Sequence, residues 1–280
     1  MAQFENPELP EGINVAAGNP LKDFAGLALS VVVIAVLAAL ALYVGAGMVA
    51  RRISFASEVR LAERLIKPNA ERSATELALQ ALADRLATHM NLPSGMRIHV
   101  HYQDAATINA MATLGGNVFI YRGLLEKLPH ENALAMVMAH EIAHVLHRDP
   151  VVGAGRGVAM ALALSVLTAG AADGAAGKVI SGTALITGLT FSREQETLAD
   201  ETALGAVVKT YGSIVGAADL FHVFEKLRAG AGDPPKVLAT HPVTSDRIAR
   251  ITTLARERGW LTGGATTPLA DVYRPPQAMK

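Results

Sequence analysis

From Phe24 to Ala50 the chain carries no charged residue, and this run limits every fold open to it. Its centre reads Ser30-Val-Val-Val-Ile-Ala-Val-Leu-Ala-Ala-Leu-Ala-Leu-Tyr43. As a helix the run is about 40 Å long, more than the ~30 Å hydrocarbon core of a bilayer. A cleaved signal peptide wants a basic start and an apolar stretch of roughly 7–15 residues. Here the preceding residues are acidic (Glu5, Glu8, Glu11 and Asp23 against Lys22) and the run is too long. The expectation is a polar N-terminal tail over 1–23 and an uncleaved transmembrane anchor over 24–50. Arg51, Arg52, Arg60, Arg64 and Lys67 follow the span, and only Lys22 and the amino terminus precede it. The positive-inside rule then gives a single-pass protein of the cell's inner membrane with everything after Arg51 in the cytoplasm.

The 280 residues leave room for one domain of ordinary size beside the anchor. Twenty-five basic residues against 25 acidic ones argue against nucleic acid as a partner. The chain has no cysteine, which excludes disulfides and thiolate metal sites, so any metal must be held by nitrogen and oxygen.

Residues 51–72 read as a juxtamembrane helix, Ser54 to Lys67, and a linker broken by Pro68-Asn69. Ser73 and Glu76 form a capping box ahead of an apolar stripe, Leu77, Leu79, Leu82, Leu86 and Met90. Arg97–His101 alternates as a half-buried strand does, and Asn117-Val118-Phe119-Ile120-Tyr121 is a second strand entered through Gly115-Gly116. A long helix runs from about Glu131 to His147, where Pro150 prevents continuation. Another starts after Ser192, with Gln195 as capping partner, and closes at Gly212. Two more cover about 213–228 and 244–258, and residues 259–280 read as a poorly ordered tail. The expected fold is α+β, mostly helical, with a small sheet in a domain over 73–258.

The candidate chemistry sits on the helix over 131–147. His140 and His144 are four residues apart, so both imidazoles share one face and can reach one ion, with Glu141 beside them to take a proton from a water. The helix is otherwise apolar (Leu134, Met136, Val137, Met138, Ile142, Val145), and burying these groups without a ligand is costly. Zinc suits such a site: it accepts histidine and carboxylate and leaves a position for water. A third ligand must come from elsewhere. Glu196 and Asp200 again lie four apart, one to bind the ion and the other to accept a hydrogen bond from a ligand imidazole.

These pieces together resemble a known family. Asn109-Ala-Met-Ala-Thr-Leu-Gly-Gly116, Met138-Ala-His-Glu-Ile-Ala-His-Val-Leu-His-Arg-Asp149, Ser192-Arg-Glu-Gln-Glu-Thr-Leu-Ala-Asp200 and Thr240-His-Pro-Val-Thr-Ser-Asp-Arg-Ile248 occur in that order. The chain is similar to the zinc peptidases that include HtpX, the Oma-type mitochondrial protease and the CaaX prenyl proteases. The resemblance implies a zincin-like domain with one Zn2+ held by His140, His144 and Glu196, and Asp200 supporting an imidazole. It implies a membrane-anchored endopeptidase of protein quality control, acting on unfolded or membrane-associated polypeptides. His241, in the His-Pro segment, either stabilises the oxyanion or occupies the fourth zinc position and holds the site inactive. Asn117–Tyr121 is expected as an edge strand that pairs with an extended substrate.

Other histidines take plainer roles: His147 is structural, and His99 and His101 belong to a solvent-facing strand surface. The apolar stretch 151–190 reads as two short arms, 158–172 and 179–189, around a turn at 173–178, a hairpin that covers the cleft or rests on the membrane. The alternative to an enzyme is a catalytically silent or latent membrane-tethered chaperone or scaffold, against which the intact Glu141 argues.

Overall fold

A computed structural model describes residues 19–67, 71–167, 189–229, 235–241 and 245–274. The chain divides into two compact units, 1–41 and 42–280. Helix α1 (Pro20–Arg52) supplies the described part of the first unit and enters the second with its last turns. Its mean hydropathy reaches 2.9 over an 18-residue window, and among the described residues it is the one helix long and apolar enough to cross a membrane.

The second unit is mostly helical around a small sheet. In chain order come α2 (Phe55–Leu65), α3 (Ala74–Ala87), β1 (His99–Gln103), β2 (Ala110–Ala112), a 3₁₀ turn at Leu114–Gly116, β3 (Asn117–Tyr121) and the short α4 (Arg122–Leu125). Then follow α5 (Glu131–Leu146), α6 (Asp149–Leu167), α7 (Arg193–Tyr211), α8 (Asp219–Ala229), α9 (Lys236–Thr240) and α10 (Ser245–Arg258).

Helix α5 is the axis of the fold. Every residue from Asn132 to Val145 is buried, as expected of a helix that is apolar nearly all round, with α3 and α7 packed against it. Its start is set by His130, whose Nδ1 accepts the Ala133 N–H at 3.1 Å, and its end by Arg148 in the left-handed region at φ 66°. Pro150 does not leave a loop after it. The proline stands in the first turn of α6, where a missing N–H costs no hydrogen bond. Of the hairpin reading, the first arm is thus helical to Leu167, and the turn and most of the second arm lie outside the described residues.

The sheet corrects one expectation. Its strand order is β1-β3-β2, so Asn117–Tyr121 is the central strand and not an edge. It pairs in parallel with β1 from His99↔Asn117 to Gln103↔Tyr121, and antiparallel with β2 from Ala110↔Ile120 to Ala112↔Val118. The outer edge of β1 is sealed by side chains from α3. The Val100 N–H donates to Gln80 Oε1 (2.9 Å), Gln80 Nε2 to the Ile98 carbonyl (3.0 Å), and the Tyr102 N–H to Glu76 Oε2 (3.0 Å). The remaining edge is β2. Thr113 and Asn109 hydrogen-bond across to Asn117 and Tyr121, so by antiparallel alternation Ala110 and Ala112 turn their N–H and C=O groups away from β3.

Two further expectations change. His101 is not solvent-facing: it is buried, stacks on Phe119 at 4.8 Å between ring centres and lies 2.8 Å from Asn117 Oδ1. The segment read as a loose tail docks on the body up to Arg274. Leu269 and Tyr273 are buried, the Thr267 N–H donates to Asn132 Oδ1 (2.8 Å), and Thr75 Oγ1 donates to the Val272 carbonyl (2.8 Å).

Gly116 has φ 79°, and a Cβ there would collide with the Arg97 carbonyl oxygen; Gly95 has φ 83° with nothing within 4 Å. Gly116→Ala is therefore expected to cost about 3 kcal/mol or more and Gly95→Ala only about 1 kcal/mol. Denaturant midpoints of the two variants check this ordering.

Candidate metal centre

One turn of α5 carries His140 and His144 inward. Their Nε2 atoms are 3.0 Å apart, and the rings meet edge to face. Helix α7 brings the carboxylate. Its entry is fixed by a complete capping box: Ser192 Oγ accepts the Gln195 N–H, and Gln195 Oε1 accepts the Ser192 N–H. This sets the first turn of α7 so that Glu196 Oε2 lies 3.4 Å from His140 Nε2 and Glu196 Oε1 lies 3.5 Å from His144 Nε2. His241, capping the C-terminus of α9, enters from the other side, with Nδ1 2.8 Å from Glu196 Oε1 and 3.3 Å from His140 Nε2. One ligand atom from each of these four buried residues lies within 4.8 Å of all the others.

The supporting contacts decide what this cluster can hold. His140 Nδ1 is 3.0 Å from Asp200 Oδ1, and His144 Nδ1 is 2.9 Å from Asp149 Oδ2. Each carboxylate keeps a proton on Nδ1, which leaves the Nε2 lone pairs of both rings converging on the Glu196 oxygens. His241 Nε2 is buried without a hydrogen bond, and Glu196 Oε2 is met only by the charge contacts of Arg247 Nη1 (2.8 Å) and His140 Nε2 (3.4 Å). Lone pairs and a carboxylate that face one another in a dry interior are satisfied by a cation, so the donor set fits a metal ion.

The electrostatics agree. Burial alone would lower the His140 imidazole, but Asp200 and Glu196 outweigh it and the pKa is pushed up to about 10. His144 is also raised, Asp149 and Glu196 overcoming its burial. Burial pulls the Glu196 carboxyl upward, and contacts with His140, His144 and His241 hold it well below the usual range. Asp200 is depressed against its burial by Arg247 and His140. Without a metal the cluster keeps protons where an ion would sit.

Glu141 lies beside these four ligand positions. Its Oε2 accepts the Ala112 N–H of edge strand β2 (2.6 Å), and its Oε1 is 3.6 Å from His241 Nε2. A cavity of about 20 Å³ opens on His140, Glu141 and His241, room for a single water-sized species. A larger cavity of about 320 Å³ adjoins Glu196 and is lined by Phe191, Arg193, Thr197, Asp246, Arg247 and Arg250. Asn117–Tyr121, read as the substrate strand, has both of its backbone edges paired. His147 points away from the cluster, with Nε2 2.9 Å from Thr202 Oγ1.

Three residues at the site carry roles that the sequence analysis does not assign. Asp149 holds His144 and also accepts from Gln195 Nε2. Phe191 stacks on the His144 ring at 4.0 Å. Arg247 grips Asp200 through Nε (2.7 Å) and Nη2 (2.8 Å), with Nη1 2.8 Å from Glu196 Oε2. Asp149 and Arg247 both lie inside the quoted motif segments, so their positions were visible although their roles were not.

A buried helix presenting two histidines, a glutamate from a second helix and a further carboxylate hydrogen-bonded to a strand edge define a metallohydrolase-type site. Comparison with known proteins agrees: residues 73–255 match the family described as Peptidase family M48, and the chain belongs to that family of metallopeptidases. It is similar to the putative beta-barrel assembly-enhancing protease of Vibrio cholerae serotype O1, 37% identical over 160 residues, 54% of this chain and 32% of the relative. The beta-barrel assembly-enhancing protease of Escherichia coli K12 is 32% identical over 189 residues, 61% of this chain and 37% of the relative. The mitochondrial metalloendopeptidase OMA1 of Schizosaccharomyces pombe is 33% identical over 165 residues, 56% of this chain and 47% of the relative. The chain thus spans less than half the length of these curated relatives.

Replacing Asp149 by Asn removes the anion that orients His144 and is expected to weaken metal affinity about 10–100-fold. His147→Ala should leave affinity within about twofold, since that ring faces Thr202. Chelator competition on folded protein checks both.

Proposed function

We propose that this protein is a membrane-anchored zinc endopeptidase that removes unfolded or membrane-associated polypeptides, held latent by His241. The observation that carries the reading is the convergence of His140 Nε2, His144 Nε2 and Glu196 with both Nδ1 protons claimed by carboxylates. Zinc is favoured because every available donor is imidazole or carboxylate and the chain has no thiol. His140, His144 and Glu196 would hold the ion. The chemistry it supplies when bound is Lewis acidity, which acidifies a water at the site and polarises a peptide carbonyl.

The chain's own residues carry the remaining work. Glu141 takes the proton of the attacking water and returns it to the leaving amine. Its Oε2 accepts from Ala112, which ties the base to the strand that faces substrate. That strand is β2: the outward N–H and C=O of Ala110 and the outward C=O of Ala112 suit an extended peptide added as a further strand, the Ala112 N–H being held by Glu141. Main-chain pairing of this kind is indifferent to side chains and fits a broad specificity. Asp200 and Asp149 hold the imidazoles in the tautomer that leaves Nε2 free.

His241 sits within reach of the same position, 2.8 Å from Glu196, and α9 touches the segment leading into β2, the Val237 N–H reaching the Ile108 carbonyl at 3.5 Å. This supports the restraining role over the oxyanion role: substrate entry displaces the His241 segment. The hydropathy of α1 and the arginines at its end support a single inner-membrane span with the peptidase in the cytoplasm. The alternative, a silent chaperone or scaffold, uses the buried Glu141 carboxylate only to hold the Ala112 N–H and gives no role to its placement beside the ligand cluster.

The test is degradation of an unfolded model protein by the detergent-purified chain, with and without chelator. Glu141→Gln should lose about 10²–10⁴-fold in rate while retaining its metal. His241→Ala should raise kcat/KM roughly tenfold by removing the competing closed state. Full activity of Glu141→Gln in a zinc-loaded sample would overturn the mechanism.

A further inference from the structure

We infer that Glu58, on the juxtamembrane helix α2, is a positioning residue for the peptidase site, so that α2 aligns the catalytic groups as well as linking the domain to its anchor. This deepens the peptidase reading and rests on it for its kinetic consequence. Glu58 is buried on α2, a short amphipathic helix whose other charged residues, Arg60, Glu63 and Arg64, are exposed. One carboxylate oxygen accepts the Gly115 N–H at 2.9 Å. The other stands 2.8 Å from Arg148 Nη2, which also donates to the Ile53 carbonyl (2.8 Å) between α1 and α2.

Both partners lead to the reacting groups. Gly115 lies three residues beyond Ala112, whose N–H holds Glu141. Arg148 immediately precedes Asp149, which holds His144. Arg148 occupies the left-handed region (φ 66°) with its Nε buried and unbonded, a conformation that needs support from outside its own segment. A second contact acts on the same turn. A Cβ on Gly115 would lie 2.8 Å from the Ala62 side chain and 3.1 Å from Val59 Cα, so α2 rests directly on that backbone. Burial works to raise the Glu58 carboxyl above its ordinary value, and Gly115 and Arg148 only partly offset it. A helix needed only for attachment would dock more cheaply through apolar side chains; a buried charge retained at a cost points to positioning.

The experiment uses the full chain in detergent. Amide hydrogen exchange is compared in wild type, Glu58→Ala, which loses both contacts, and Glu58→Gln, which keeps an acceptor for Gly115 and loses the charge. Expected is exchange faster by roughly 10- to 100-fold over Ala112–Gly116 and His147–Asp149 in Glu58→Ala, with α3 and α7 unchanged. Glu58→Gln should affect mainly the Arg148 segment. On unfolded protein substrate, kcat should fall with KM held. Wild-type exchange in those two segments would overturn the inference, and so would uniform acceleration across the domain, the mark of a merely structural role. If Glu58→Ala does not fold, Glu58→Gln and Arg148→Lys decide by the same local-against-uniform criterion. Should the zinc-loaded wild type prove inactive, the peptidase reading fails, while the exchange pattern still decides the role of Glu58.

Discussion

The structure depends on one electrostatic arrangement: two histidines on a fully buried helix, each with its Nδ1 held by a carboxylate. Those two contacts, His140 to Asp200 and His144 to Asp149, turn ordinary imidazoles into a converging pair of lone pairs. Lone pairs cannot face each other and Glu196 in a dry interior without a cation between them. The neighbouring elements meet around that requirement. Helix α7 carries both Glu196 and Asp200, α10 supplies the Arg247 that grips Asp200, and the start of α6 supplies Asp149. The core around α5 holds these helices in register.

The sheet shows how backbone groups become functional by elimination. Three strands have two edges. Gln80 and Glu76 of α3 spend their side chains on the edge of β1, and β3 is paired on both sides. Strand β2 turns backbone groups of Ala110 and Ala112 away from the sheet, and it is the strand whose Ala112 N–H meets Glu141. In the proposed reading, the surface for an extended chain and the base for its hydrolysis are joined through a single residue, Ala112. The Gly115-Gly116 turn after β2 brings α2 into the same chain of contacts.

Much of the site was legible in the sequence because helical spacing is local information. His140 with His144 and Glu196 with Asp200 are i,i+4 pairs, and a pair on one face can be read without knowing the fold. Asp149, Phe191 and Arg247 were not assigned roles, because each acts on a partner whose proximity only the fold creates. Strand β3 was legible as the strand entered through Gly115-Gly116, but whether a strand is central or at an edge is a property of its partners. Ala110-Met-Ala112 has no alternation to betray it. Leu269 and Tyr273 were missed for a related reason: isolated apolar residues among prolines read as a tail until the body they dock on is known.

The most direct test of the metal centre is X-ray absorption at the zinc edge of the purified full chain. The account predicts one zinc per chain with about four nitrogen and oxygen ligands near ~2.0–2.1 Å, and outer-shell scattering from at least two imidazoles. A chain that retains no stoichiometric zinc, or whose zinc shows an oxygen shell without imidazole, would contradict it.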